Sequence, residues 1–259
     1  MGPKITAIGN RKGGVGKTSY TLGIATGLKL LGKRVCVLDL DPQANATAAL
    51  EARGELNIFD VLYQGEPGSL GQAITSTSWA GIDCIPSVEA LGRIESESLM
   101  TAELRLKMAA EGSEELEQYD HIVIDLPPAL GRLTLNGLIW ADEVLAVTTP
   151  EAFSVQGVGE FMKSVRTVQA HPALNPGLLF GGIVVNKVSS SPVTAEHKFQ
   201  IEQLEEAYAD NMRRPYLPSR TAMQDSVSSN RLLTQLPGEG ARILTELFVD
   251  HARILDGGR

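Results

Sequence analysis

The stretch Lys12-Gly13-Gly14-Val15-Gly16-Lys17-Thr18 carries the most specific chemistry in the chain. Glycines let successive backbone N–H groups turn toward one concavity. A helix beginning at Lys17 adds free N–H groups and the positive end of a dipole. Together they make a cradle for a phosphate chain. Lys17 supplies a point charge for the β- and γ-phosphates, and the Thr18 hydroxyl is an oxygen ligand of the kind Mg²⁺ takes. Ser19 extends the set. The strict pattern G-x-x-x-x-G-K-[ST] fails at its first glycine, where Arg11 stands, and the loop carries the extra Lys12 instead.

Three aspartates are candidates for work beside that cradle. Asp39 and Asp41 lie two apart at the end of an apolar run, and Asp125 ends another. Ligands of open α/β sheets sit outside the carboxyl ends of strands. A carboxylate there can orient water or hold a metal shell. Asn186, after a further apolar run, offers both a donor and an acceptor. Pro127-Pro128 followed by Gly131 suits a stiff loop with a pivot.

To position these residues the chain must supply strands that end where they stand. Apolar runs at 5–9, 35–39, 82–86, 121–125, 144–148 and 179–186 read as strands, with a short one near 215–217. Most are continuous rather than alternating, as expected of strands covered on both faces. Helical patterns fall at 17–31, 57–64, 88–110, 133–140, 154–170, 192–210 and 240–255, the sixth with Ser191 as cap and Pro192 in its first turn. This alternation predicts an α/β fold, a mostly parallel, doubly wound sheet with helices on both faces. Without an internal repeat or a dividing linker, residues 1–259 read as a single domain. An N-terminal helix-turn-helix module has no room before the first strand.

Composition narrows the class. Of 259 residues, 43% are apolar and 21% charged, which excludes a disordered chain. The 23 Lys and Arg against 31 Asp and Glu give a net charge of −8, which argues against a generally DNA-coating surface but leaves room for a local basic patch. Cys36 and Cys84 sit in apolar stretches and read as buried thiols in a reducing cytosol, not as ligands of an iron–sulfur cluster. No apolar run is long enough to cross a bilayer, and no signal peptide is evident, so a cytoplasmic location is expected. The acid-rich 95–120 reads as a solvated face. The amphipathic 241–255, with balanced charge, reads as a core-packing helix rather than a membrane anchor.

The phosphate loop resembles that of the ParA/MinD family of deviant-Walker, P-loop NTPase-like ATPases. The run 37–47 resembles the second phosphate-site motif of ParA/Soj-type partition ATPases, and 122–131 resembles their Walker B and switch segment. The likeness continues through Thr148-Thr149-Pro150-Glu151 and Val185-Asn186-Lys187, then weakens. The resemblance implies ATP and Mg²⁺ as ligands, with Lys12, Gly13, Gly14, Val15, Gly16, Lys17, Thr18, Ser19 and Asn186 around the nucleotide and Asn186 at the adenine edge. It assigns catalysis to Lys12, Lys17 and Asp41. Lys12 would reach the nucleotide of a second copy, Asp41 would position water with Asp39 supporting it, and Asp125 would hold a Mg²⁺-bound water. Thr18, Asp39, Asp41 and Asp125 form the expected metal set, the aspartates acting on Mg²⁺ through water.

It further implies an ATP-bound homodimer that binds DNA non-specifically, is nucleoid-associated, and is stimulated by a ParB-type centromere-binding protein in plasmid or chromosome segregation. Arg213, Arg214, Arg220 and Arg231, with Lys187 and Lys198, are the DNA-binding candidates. Two other functions stay open. A same-fold ATPase could position another cargo, such as a division site, a carboxysome or a chemoreceptor array. A metabolic synthetase could share the loop, forming amides or carboxylating with ATP, and would need a second substrate pocket.

Overall fold

The computed structural model describes residues 2–189 and 192–257. Among them the strands are β1 (Lys4–Gly9), β2 (Val35–Asp39), β3 (Thr75–Ser76), β4 (Ile82–Ile85), β5 (His121–Asp125), β6 (Glu143–Thr148), β7 (Leu179–Val185) and β8 (Met212–Arg213). They form one sheet in the order β3-β4-β2-β5-β1-β6-β7-β8. Every pairing is parallel except β3 with β4. The helices are α1 (Lys17–Leu30), α2 (Asn45–Leu50), α3 (Ile58–Gln64), α4 (Arg105–Ala110), α5 (Arg132–Trp140), α6 (Ser154–Ala170), α7 (Ala195–Tyr208), α8 (Thr221–Ser228) and α9 (Glu239–Leu255).

The continuous apolar strands are explained by two cores, one on each face. Side chains alternate along a strand. Cys36 and Leu38 of β2 and Ile122 and Ile124 of β5 therefore enter one core, with Leu62 of α3, Leu133 of α5 and Phe161 of α6. Val35 and Val37 of β2 and Val123 of β5 enter the other, with Leu22 of α1, Leu50 of α2 and Phe248 of α9. The two cysteines are buried, free thiols on opposite faces. On the second face α9 lies close against α1. A Cβ on Gly23 would meet the Phe248 ring at 2.2 Å, and one on Gly27 would meet the Phe248 carbonyl oxygen at 2.4 Å. Two glycines one helical turn apart thus permit that approach.

Three expectations change. The helix expected at 88–110 is a 3-10 segment at Glu89–Glu95, a turn region and the short α4. Thr101 has φ 51°, which breaks helical geometry, and Arg105 spends its guanidinium on the carbonyls of Leu62, Tyr63 and Met100. The strand expected near 215–217 is displaced to β8, although Leu217 N–H still donates to Val185 O and Val188 N–H to Leu217 O. Pro215 and Pro218 have no N–H to extend that ladder. Ser191 lies outside the described residues; α7 starts at Ala195, with the Thr194 hydroxyl accepting from His197 N–H. Among the described residues no helix is long and apolar enough to cross a membrane.

Candidate active site

The carboxyl ends of β1, β2 and β5 open onto a cleft of about 550 Å³. It is lined by Gly13, Gly14, Gly16, Lys17, Thr18, Ser19, Asp41, Gln43, Asn45 and Pro128, together with Lys187 and, from the far side, Val227 and Asn230. The loop from β1 to α1 is anchored at its start by Asn10, whose Nδ2 donates to Val147 O at 2.7 Å and whose Oδ1 accepts from Lys12 N–H at 3.2 Å. Gly14 and Gly16 have φ of 75° and 91°, the left-handed region that glycine enters freely. Val15 contributes backbone only, because its side chain is in the core.

Thr18 and Asp125 form the contact that closes the loop. The Thr18 hydroxyl donates to Asp125 Oδ2 at 2.6 Å, which leaves its lone pairs for a cation. Thr21 donates to the other Asp125 oxygen at 3.3 Å. Burial and the neighbouring Asp39 push the Asp125 carboxyl up to about 8, against the Thr18 hydrogen bond and the Lys17 charge. Burial lowers the Lys17 ammonium, while Asp125 and Asp41 support its charge.

Asp39, expected in the metal set and as the support of Asp41, is engaged by protein donors on both oxygens. Its Oδ1 accepts from Asp41 N–H at 3.1 Å, and its Oδ2 accepts from both N–H and hydroxyl of Thr47 at 2.8 Å. Burial raises its carboxyl to about 6 against those bonds. Asp39 is a brace for the turn into α2. Thr47 passes the brace on, since its hydroxyl accepts from Ser87 N–H at 2.8 Å and the Ser87 hydroxyl donates to Asp41 O at 2.7 Å. Thr47 and Ser87 were not singled out from sequence; a threonine one turn into a helix carries no signal of its own. The result is a fixed Asp41, with Oδ1 accepting from Gln43 N–H at 2.9 Å and the side chain on the cleft.

Among the described residues no group of three or more His, Cys, Asp or Glu is arranged to hold a metal alone. Mg²⁺ needs no such group, because it keeps several waters and shares phosphate oxygens. The oxygen donors of Thr18, Asp41 and Asp125 fit that role.

Lys12 points elsewhere. It does not line the cleft; its Nζ pairs with Glu151 at 2.8 Å. It borders a separate surface depression with Arg11, Phe153 and Glu160, where Arg11 pairs with Glu160. Asn186 borders a smaller cavity of about 170 Å³ beside the phosphate loop, with Ser19, Tyr20, Lys187 and Arg220. Gly131, read as a pivot, has φ −103°, and a Cβ there would strike the Glu95 carboxylate at 2.2 Å, so close approach accounts for a glycine at this position. That carboxylate accepts from Arg132 N–H at 2.6 Å and Leu133 N–H at 3.2 Å, capping α5 and tying down the loop that follows Asp125.

The four candidate arginines do not act as a group. Arg213 is a correction: only 15% of its side chain is exposed, and it pairs with the buried Glu143 at 2.6 Å while donating to Gly181 O. It is an internal counter-ion with no face for DNA. Arg214 is exposed but pairs with Glu205 and covers the Tyr216 ring. Arg220 and Arg231 are exposed at the two ends of the α8 segment.

A profile of the AAA domain family matches residues 3–179. The sporulation initiation inhibitor protein Soj of Bacillus subtilis is 32% identical over 251 residues, spanning 94% of this chain and 96% of that protein. The chromosome partitioning protein ParA of Caulobacter vibrioides is 34% identical over 187 residues, 70% of this chain and 68% of that protein. Among solved structures, cobyrinic acid a,c-diamide synthase from Mycobacterium smegmatis with bound ADP and magnesium superposes with a TM-score of 0.79. It is 26% identical, with 99% of this chain and 97% of that one covered.

Proposed function

The chain belongs to the ParA/Soj family of P-loop ATPases, which hydrolyse ATP with Mg²⁺, and on that footing we propose that it drives partition of plasmid or chromosomal DNA. In this reading residues 1–259 form one ATPase unit, and two such units dimerise around ATP. The dimer binds DNA non-specifically and so is cytoplasmic and nucleoid-associated. A ParB-type centromere-binding protein stimulates its hydrolysis.

The observation that carries the reading is the separation of the two loop lysines. Lys17 lines its own cleft, whereas Lys12, five residues earlier in the same loop, stands outside it on Glu151. A lysine placed so serves a second copy better than its own nucleotide. A cation delivered in trans makes hydrolysis depend on association, as an arginine finger does.

Within one protomer the residues divide the work. Lys17 and the loop amides hold the phosphate chain, and Thr18, steadied by Asp125, offers its oxygen to Mg²⁺. Bound there, Mg²⁺ neutralises charge building on the phosphate oxygens. Asp41, fixed by Gln43, Ser87 and Asp39, orients the attacking water. Arg220 and Arg231 flank α8, whose residue Val227 borders the cleft, so a DNA contact there lies next to the nucleotide. The two exposed arginines face only Asp225 within that segment, a small local excess of positive charge that would favour DNA despite the acidic whole.

Sedimentation with DNA under ATP, ADP and no nucleotide tests the proposal. Co-sedimentation that needs ATP is expected. Equal retention in all three states, or none, overturns it. The M. smegmatis likeness keeps a synthetase as the second reading. A product beyond ADP and phosphate, formed with a small acceptor, would favour it.

A further inference from the structure

Two consecutive carbonyls of the phosphate loop are caught by two consecutive side chains far along the chain. Asn186 Nδ2 donates to Val15 O at 3.0 Å, across 171 residues, and Lys187 Nζ donates to Gly14 O at 2.6 Å, across 173. A trans peptide points its C=O and the following N–H in opposite directions. Holding the Gly14 carbonyl therefore sets the direction of Val15 N–H, and holding the Val15 carbonyl sets Gly16 N–H. The approach is close: a Cβ on Gly16 would lie 2.3 Å from Asn186 Nδ2.

The donors are themselves fixed. Asn186 N–H donates to Thr148 O at 2.7 Å and Val188 N–H to Leu217 O at 3.0 Å, so both neighbours of Lys187 are tied to the sheet. Lys187 is held at φ 57°, an uncommon conformation for a residue with a side chain, kept only where the surroundings over-determine it. Its side chain lines the main cleft as well as the smaller cavity.

We propose that Asn186 and Lys187 are positioning residues for nucleotide binding. They draw the Gly14 and Val15 carbonyls to one side so that the Val15 and Gly16 amides stay aimed at the phosphate chain. Lys187 then acts on the phosphate loop and not on DNA.

The inference rests on MgATP occupying the cleft and is tested on the full chain by calorimetry with MgADP, magnesium tripolyphosphate and adenosine. Lys187→Met, which keeps the stem and loses the donor, weakens MgADP and tripolyphosphate by about tenfold and leaves adenosine unchanged. Lys187→Arg recovers most of the loss. In turnover the effect appears more in KM than in kcat. Asn186→Ser, too short to reach Val15 O, shows the same phosphate-selective loss. Equal losses for adenosine, unchanged tripolyphosphate binding, or a defect confined to DNA retention overturns the proposal. A wild-type chain that gives no heat with MgATP sinks the premise instead, a different result from a wild type that binds and a Lys187→Met that binds equally well.

Discussion

Asp39 and Asp125 stand beside each other as register partners on the adjacent parallel strands β2 and β5, both fully buried. Two carboxylates so placed resist ionising together, and burial raises both, Asp39 to about 6 and Asp125 to about 8. Between the ordinary carboxylate range and about pH 8 the folded chain therefore keeps a proton that the unfolded chain has lost. The stability of nucleotide-free protein falls as pH rises through that window, by at most about 1.4 kcal/mol per pH unit for each proton. Melting curves from pH 5.5 to 8 check this, and Asp125→Asn flattens the slope. A nucleotide-free melting temperature that climbs with pH contradicts it. Binding Mg²⁺ with nucleotide favours the ionised pair, so calorimetry near pH 7 in buffers of different ionisation enthalpy detects proton release.

Lys12→Ala leaves MgATP binding to the monomer near normal, because Lys12 is outside the cleft. ATP-dependent association is lost and hydrolysis falls by about 100-fold or more. Sedimentation velocity with ATP is the measurement. A full ATP dimer with wild-type turnover removes the role in trans.

Asp41→Ala removes the group proposed to orient water but leaves Lys17 and the loop amides in place. Hydrolysis drops by about 100-fold while MgATP binding and ATP-dependent DNA retention persist. Rapid turnover in this variant would put the water elsewhere.

Arg213→Ala and Arg220→Glu separate structure from DNA contact. The first leaves Glu143 buried with Lys4 as its remaining partner. It lowers stability by about 2–3 kcal/mol, visible as a clear fall in melting temperature. The second leaves melting unchanged and lowers DNA affinity, with a salt slope shallower by about one unit. If Arg213→Ala melts normally and selectively loses DNA, the assignment is reversed.

The sheet was legible because buried parallel strands write themselves as unbroken apolar runs, two of which end on Asp39 and Asp125. The phosphate loop was legible because its glycines and lysines are needed at fixed spacing. What escaped was held by tertiary contacts. Arg105 reads as a helix surface charge until Leu62 and Tyr63 offer it carbonyls. Arg213 reads as part of a basic cluster until the fold brings Glu143 beside it, 70 residues away in sequence. The helix α2 was hidden inside a motif read for its phosphate chemistry, and the polar α8 has little apolar pattern to show. Asn186 was read for its reach toward a base, and its hold on a phosphate-loop carbonyl could not be read from the sequence.

The glycines at 23 and 27 have a mechanical consequence. With Phe248 resting directly on the α1 backbone, α1 and α9 share a seam without slack. A tilt of α1 at its Lys17 end cannot be absorbed by side chains sliding past one another, so α9 must travel with it as one lever. Any displacement of the α1 axis would therefore be passed to α9 rather than taken up at the seam between them.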